Sequence, residues 1–238
     1  MGSTRLPGKV LLRLGSDTVL AQVVRRCQAA GELDAIAVAT TTNAEDDVLV
    51  AECARLGVAA IRGPAQDVLA RYAAAARRLG SEAVVRVTAD CPLLDPVLLD
   101  SMVAEYRRLH AAGPGCDYLS NSLERSFPRG LDIEIVRTAA LLEAAEKARA
   151  PHEREHVTPF IYQHPERYKL RSWRSPLNAA DERWTLDTPE DFRLLTLIFD
   201  ALGEAAAATG WTQVLELVRS HPQWAAINRH VVQKSLNP

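Results

Sequence analysis

Hydrophobic residues fall along this chain in two alternating textures. Short apolar runs at 35–39, 58–61 and 83–87 are bounded by turn residues and read as strands. Between them lie longer stretches, 19–30, 44–56 and 67–79, in which alanine, leucine, arginine and glutamate recur at helical spacing. Gly31, Gly57 and Gly80 follow these stretches, where a helix is expected to stop. The outcome is a βαβ unit about every 25 to 30 residues, as a doubly wound sheet requires. The expected fold is therefore α/β, a mostly parallel sheet with helices on both faces.

Beyond a further helical stretch at 96–110 the elements become shorter and more mixed. An extended segment is expected at 131–136, helices at 138–148 and 154–164, and a strand at 168–173. Residues 117–176 are read as a substrate-facing and dimerising lobe inside one domain that spans 1–238. From Arg183 the chain returns to the main unit, where Thr188 caps a helix that starts at Pro189 and runs to Leu202. Helical stretches at 212–220 and 224–232 follow.

Composition narrows the classes of function. With 238 residues, 47% of them hydrophobic, the chain is long enough for a full core. Its formal net charge of -2 carries no surplus of Lys and Arg for a phosphate backbone, so nucleic acid is not an expected partner. The four cysteines, Cys27, Cys53, Cys91 and Cys116, form no Cys-x-x-Cys pair and read as reduced thiols of a cytoplasmic protein without structural zinc. There is no run of about 18 apolar residues of the kind that crosses a membrane.

The first nine residues, Met-Gly-Ser-Thr-Arg-Leu-Pro-Gly-Lys, concentrate small residues, two hydroxyls and two cations. Glycines such as Gly2 let the backbone approach a phosphate, Ser3 and Thr4 add hydroxyls, and Arg5 and Lys9 supply charge. Five residues separate Gly2 from Gly8 and Val10 follows Lys9, which is not Walker A spacing. A solvated terminal tail is the bland alternative.

Two aspartates complete the candidate chemistry. Asp90 ends the apolar run through Val87 and precedes a helix-starting turn, the position at which ligands collect in open α/β sheets. A helix cap is its structural alternative. Asp187, in Arg183-Trp-Thr-Leu-Asp-Thr-Pro-Glu-Asp191, also ends a short extended run, while Glu190 and Asp191 fall in the first helical turn and answer its dipole. Magnesium is often held by one or two carboxylates together with the phosphates it serves. Three further segments carry polar groups without an obligatory role: 62–72 with Asp67 and Arg71, 127–134 with Gly130, Asp132 and Glu134, and 154–160 with Arg154, Glu155 and His156. Each also reads blandly, as a solvated helix, a turn into a strand, or a structural histidine.

These motifs resemble one family along nearly the whole chain. Residues Ser3 to Lys9 and Leu11 match the loop R-x-G-S-T-R-L-P-G-K-x-L of the cytidylyltransferases that activate acidic sugars, the acylneuraminate and 3-deoxy-manno-octulosonate types, and most closely the spore coat polysaccharide biosynthesis subgroup. Thr88 to Leu93, 127–134, 154–160 and Trp184 to Asp191 match further family segments, as does the end of the chain around Asn228 and His230. The resemblance implies a nucleotide-diphospho-sugar transferase (GT-A-like) fold, a homodimer, and CMP transfer from CTP with pyrophosphate release. It implies that Gly2, Ser3, Thr4, Arg5, Lys9 and Arg71 bind the triphosphate, and that Asp90 and Asp187 bind Mg2+. Asn121, Gly130, Asp132, Glu134, Arg154, Glu155 and His156 are implied to meet a small acidic acceptor.

In that family an apolar strand ending in alanine and arginine stands directly before the loop. This sequence opens on the loop, so two neighbouring strands are expected to have unpaired edges and one phosphate-binding arginine to be absent. An upstream strand encoded in the same frame is expected to raise stability and activity. Three alternatives stay open: a nucleotidyltransferase for another triphosphate, a glycosyltransferase, although no Asp-x-Asp stands at Asp90, and an inactive nucleotide-binding or scaffold protein.

Overall fold

A computed structural model describes residues 5–111 and 115–233. Gly8, at φ 68°, turns the chain into a single 3-10 turn, Lys9–Leu11, and the hairpin β1 (Arg13–Leu14) and β2 (Asp17–Thr18) follows. The Thr18 hydroxyl accepts from Ala21 N–H and so caps α1 (Val19–Ala29). Next, β3 (Ala37–Thr41), α2 (Asp47–Arg55) and β4 (Ala59–Gly63) form a βαβ unit with parallel strands. Asp67 caps α3 (Val68–Leu79), which ends on Gly80 in the left-handed region at φ 62°. The chain continues through β5 (Ala83–Arg86), α4 (Pro96–Ala111), β6 (Tyr118–Ser120), β7 (Glu134–Arg137) and α5 (Thr138–Lys147). It closes with α6 (Pro151–His156), α7 (Pro159–Tyr162), β8 (Leu170–Ser172), α8 (Pro189–Leu202), α9 (Trp211–Arg219) and α10 (Pro222–Asn228).

The sheet is mixed where the pattern suggested mostly parallel strands. Its larger part has the order β5-β7-β6-β8, with β7 antiparallel to both neighbours and β8 parallel to β6. Periodicity identifies a strand but not the direction in which a long connection returns it. The strands of 117–176 therefore build the same sheet as β5. Among the described residues the two-stranded β3–β4 sheet stands apart, and β3 and β5 each have one edge on which no strand is paired, as the resemblance led us to expect.

The single helix expected at 154–164 is two short ones. At the corner between them Val157 has φ 76°, and Thr158 N–H donates to His156 O at 2.9 Å, a strained three-residue turn. Pro159 has no N–H for a continuous helix, so a break at this point satisfies the backbone.

Helices cover both faces. Leu99 and Met102 of α4, Leu195 and Ile198 of α8, and Trp184 pack with Ile133 and Ile135 on one side. Leu69 of α3, Leu141 of α5 and Ile161 of α7 pack with Tyr118 and Val136 on the other. Each such side chain, fully buried, is worth about 1.5–3 kcal/mol. Both layers hold β5 and the segment before α8 in place, and those two pieces carry the site.

Candidate active site

Two chain segments bring carboxylates to one point. Leu186 N–H donates to Asp90 O at 2.8 Å, so the end of the β5 run and the extended 182–187 segment lie side by side. Lys9 then bridges them. Its ammonium donates to Asp90 Oδ2 at 2.7 Å, to Asp187 Oδ1 at 2.9 Å and to Leu186 O at 2.6 Å, which uses all three of its N–H groups. Thr88 Oγ1 donates to Asp90 Oδ1 at 2.6 Å and fixes that carboxylate. On the far side of Asp187, Oδ2 receives Arg5 Nη2 at 3.0 Å and Arg183 Nη2 at 2.8 Å.

The electrostatics follow from this arrangement. Burial works against the charge on Lys9, yet Asp90 and then Asp187 hold its ammonium above the ordinary lysine range. Burial likewise opposes ionisation of Asp187, and the bonds from Lys9 and Arg183 with the charge of Arg5 outweigh it, holding the carboxyl below its ordinary range. Three oxygens thus converge within hydrogen-bond distance of one cation. Among the described residues no three His, Cys, Asp or Glu side chains are grouped to hold a metal. A divalent ion would rest on Asp90 and Asp187 and take its remaining oxygens from a ligand, a donor set that suits a hard cation.

Of the predicted phosphate-loop residues, Arg5 and Lys9 meet the two aspartates, while Gly2, Ser3 and Thr4 lie outside the described residues. Arg71 is elsewhere: buried, it donates to Pro64 O at 2.5 Å and Ala65 O at 3.1 Å and pins the turn after β4, and burial pulls its guanidinium below the usual arginine range. It shapes a loop rather than reaching the carboxylates.

The implied acceptor residues divide. Asn121 is fully buried, its amide donating to Leu131 O at 2.7 Å and accepting from Ile133 N–H at 2.9 Å, so it braces the 131–133 segment. Glu134 is also buried, with both oxygens taken by Arg86, Tyr118 and Thr158. Arg154 pairs with Asp67 and donates to Ala145 O, tying α6 to the cap of α3. For these three the structure records contacts within the protein that brace the segments around them. Asp132 forms a two-pronged pair with Arg125 at 2.6 and 3.1 Å and keeps partial exposure. Glu155 is exposed and His156 half-buried, and burial pulls the imidazole below its ordinary range against the pull of Glu155. Gly130, at φ 108°, packs its backbone against the carbonyl of Trp184, where a Cβ would stand 2.6 Å away.

Two cations escaped the sequence reading. Arg183 joins Asp187 to the fully buried Asp191, whose Oδ2 also accepts from Asp187 N–H at 2.9 Å. The four-residue spacing Arg183, Asp187, Asp191 was its signal. Arg129 is half-buried, its field set by Arg125, Asp132, Arg183 and Asp187, and its guanidinium has no hydrogen bond or ion pair among the described residues. It occupies an unspecified place in its motif, so no pattern marked it.

A mixed α/β sheet flanked by helices, with two carboxylates and a lysine at the carboxyl end of one strand, defines an α/β nucleotidyltransferase fold. The chain belongs to the cytidylyltransferase family, whose model matches residues 1–201. It is 36% identical to an uncharacterized protein of Methanocaldococcus jannaschii over 98% of this chain and 93% of that one. It is 31% identical to the spore coat polysaccharide biosynthesis protein SpsF of Bacillus subtilis, over 94% of this chain and 93% of that one. A solved cytidylyltransferase from Leptospira borgpetersenii superposes with a TM-score of 0.89 at 30% identity, covering 99% of this chain and 95% of that one.

Proposed function

We propose that this protein transfers CMP from CTP to an oxygen of an acidic sugar or a related small acid and releases pyrophosphate. The observation that carries the reading is the convergence of Asp90 and Asp187 on the ammonium of Lys9 at 2.7 and 2.9 Å. An acceptor oxygen attacks the α-phosphorus, the bond to the β-phosphate oxygen breaks, and pyrophosphate leaves with its electrons. If the acceptor oxygen is ionised, no general base is required; a hydroxyl would lose its proton to water.

Asp90 and Asp187 would hold a magnesium ion, which would supply charge neutralisation at the reacting phosphate. The ammonium of Lys9, with Arg5 beside it as a second cation on Asp187, would meet phosphate oxygens of the bound triphosphate. Arg129, with Arg125 close by, supplies positive charge for the acceptor's acid group. The same reading makes the protein a cytoplasmic homodimer, and its likeness to the Bacillus subtilis spore coat polysaccharide biosynthesis protein supports a place in polysaccharide synthesis.

Pyrophosphate release is the test, measured with each of the four ribonucleoside triphosphates, with and without magnesium, against a panel of acidic sugars. CTP is expected to be preferred, and magnesium to be required. Equal turnover of several triphosphates, or turnover undiminished by chelation, would overturn the reading. Light scattering that reports a monomer at micromolar concentration would remove the dimer from it.

A further inference from the structure

The two oxygens of Asp187 keep different company. Oδ1 receives the ammonium of Lys9 at 2.9 Å, while Oδ2 receives Arg183 Nη2 at 2.8 Å and Arg5 Nη2 at 3.0 Å. The oxygen turned toward Lys9 is therefore set by where the guanidinium of Arg183 stands. Arg183 is buried and is itself held along two edges. Its Nε and Nη2 grip the two oxygens of the fully buried Asp191 at 2.9 and 3.0 Å, and its Nη1 donates to Gln233 Oε1 at 2.8 Å. A planar guanidinium bonded along two edges keeps one orientation.

The support behind that arrangement comes from α10 and the residues after it. Pro222 starts the helix, and Trp224 and Asn228, at helical spacing, share one of its faces. Trp224 and Ile227 pack against the main core, which seats the helix. Asn228 is buried, and its amide gives one N–H to Arg183 O and the other to Asp191 Oδ1, each at 2.9 Å. A buried carboxylate and a buried amide are both costly unless bonded, and here each meets the other's need. Asp191 Oδ2 in turn accepts from Asp187 N–H at 2.9 Å and Thr188 N–H at 3.1 Å, so the backbone at Asp187 hangs on the same carboxylate. Gln233 differs from Asn228 in being exposed. A side chain in that position adds little to the core; what it does is fix the outer edge of Arg183.

We propose that Asn228 and Gln233 are positioning residues of the active site: acting through Asp191 and Arg183, they hold Asp187 in the orientation that presents Oδ1 to Lys9, and so set how tightly the paired carboxylates bind a divalent cation. This role rests on the proposed place of Asp187 as a magnesium ligand. Asn228 sets the backbone that leads to Asp187, and Gln233 sets the guanidinium that holds Oδ2.

The test titrates Mn2+ alone onto the parent protein, Asn228→Ala, Gln233→Ala, Gln233→Glu and Asp187→Asn, following the electron paramagnetic resonance signal of the free ion. Amide exchange at Asp187 and Thr188 is measured on the same proteins. Asn228→Ala and Gln233→Ala are expected to weaken Mn2+ binding at least about threefold, short of the roughly 10–100-fold typical of losing a partner that touches the metal ligand itself. Gln233→Glu keeps an oxygen for Arg183 Nη1 and is expected to bind Mn2+ within about twofold of the parent. In Asn228→Ala, exchange at Asp187 and Thr188 is expected to quicken about tenfold, with exchange across β6 and β7 unchanged. A merely structural role would lower the melting temperature of Asn228→Ala and leave the Mn2+ affinity of Gln233→Ala at the parental value. That parental affinity, beside weakened binding in Asp187→Asn, would overturn the positioning role alone. Parental Mn2+ binding in Asp187→Asn would overturn the metal role of Asp187 and the positioning role with it.

Discussion

At the scale of single residues, the site is a charge balance. Asp90 and Asp187 would repel one another, and Lys9, Arg5 and Arg183 offset them within hydrogen-bond distance. If the two carboxylates hold the metal, Asp90→Asn and Asp187→Asn lower turnover by more than the 10–100-fold that is typical for losing an outer partner of a metal ligand. The fold is retained, as judged by circular dichroism. Turnover within tenfold of the parent in either variant would refute the assignment. Acid stability supplies a second readout for Asp187. Its carboxyl is held below the ordinary range, so the stability it contributes is present above the unfolded-state pKa and fades as pH falls through the lower folded value. The fall in Tm on acidification should therefore be shallower in Asp187→Asn than in the parent.

At the scale of elements, the decisive piece is the strap between the 128–130 corner and the 182–185 segment. Arg129 N–H donates to Glu182 O at 2.9 Å and Trp184 N–H donates to Arg129 O at 2.7 Å, and Gly130 lets the two backbones close up. A methyl group at Gly130 would meet backbone atoms of Trp184 and Thr185 at 2.6 and 2.7 Å with φ already at 108°. Gly130→Ala should cost at least about 2 kcal/mol, a fall in Tm of about 4–8 °C, and reduce turnover because the displaced segment leads to Asp187. A parental melting temperature would show that the strap yields without cost. The sequence motif marked this corner, but for a ligand. Likewise Glu134 reads as the polar face of a half-exposed strand, with Leu131, Ile133 and Ile135 as the apolar face. The pairing of β7 with both β5 and β6 makes it an interior strand, and both faces are then covered. Pairing partners are non-local, so periodicity alone gave no warning that Glu134 needed Arg86.

At the scale of the whole molecule, the elements were legible and their assembly was only partly so. The strands 35–39, 58–61 and 83–87, their helices and the cap at Thr188 follow from local pattern, and the structure places each within a few residues. The direction of β7 and the break at Val157 depend on contacts distant in sequence or on backbone strain, which no local window contains. The split sheet also predicts uneven stability. Two strands alone are marginal, and β3 and β4 are mostly half-buried, whereas β6 and most of β7 are fully buried. The cysteines report on each part, since all four are buried and free: Cys53 packs under the β3–β4 unit, Cys116 and Cys27 in the main core, and Cys91 at the site. Burial pushes the Cys27 thiol up to about 12 and raises that of Cys53 as well, so native thiols react slowly and labelling follows opening. Pulsed thiol labelling along a urea series should expose Cys53 at lower urea than Cys116, because the β3–β4 unit can open while the four-stranded sheet persists. Labelling of Cys53 and Cys116 at one common midpoint would mean that the helices alone couple the two sheets into one cooperative unit, and that the gap between β3 and β5 does not weaken the molecule locally.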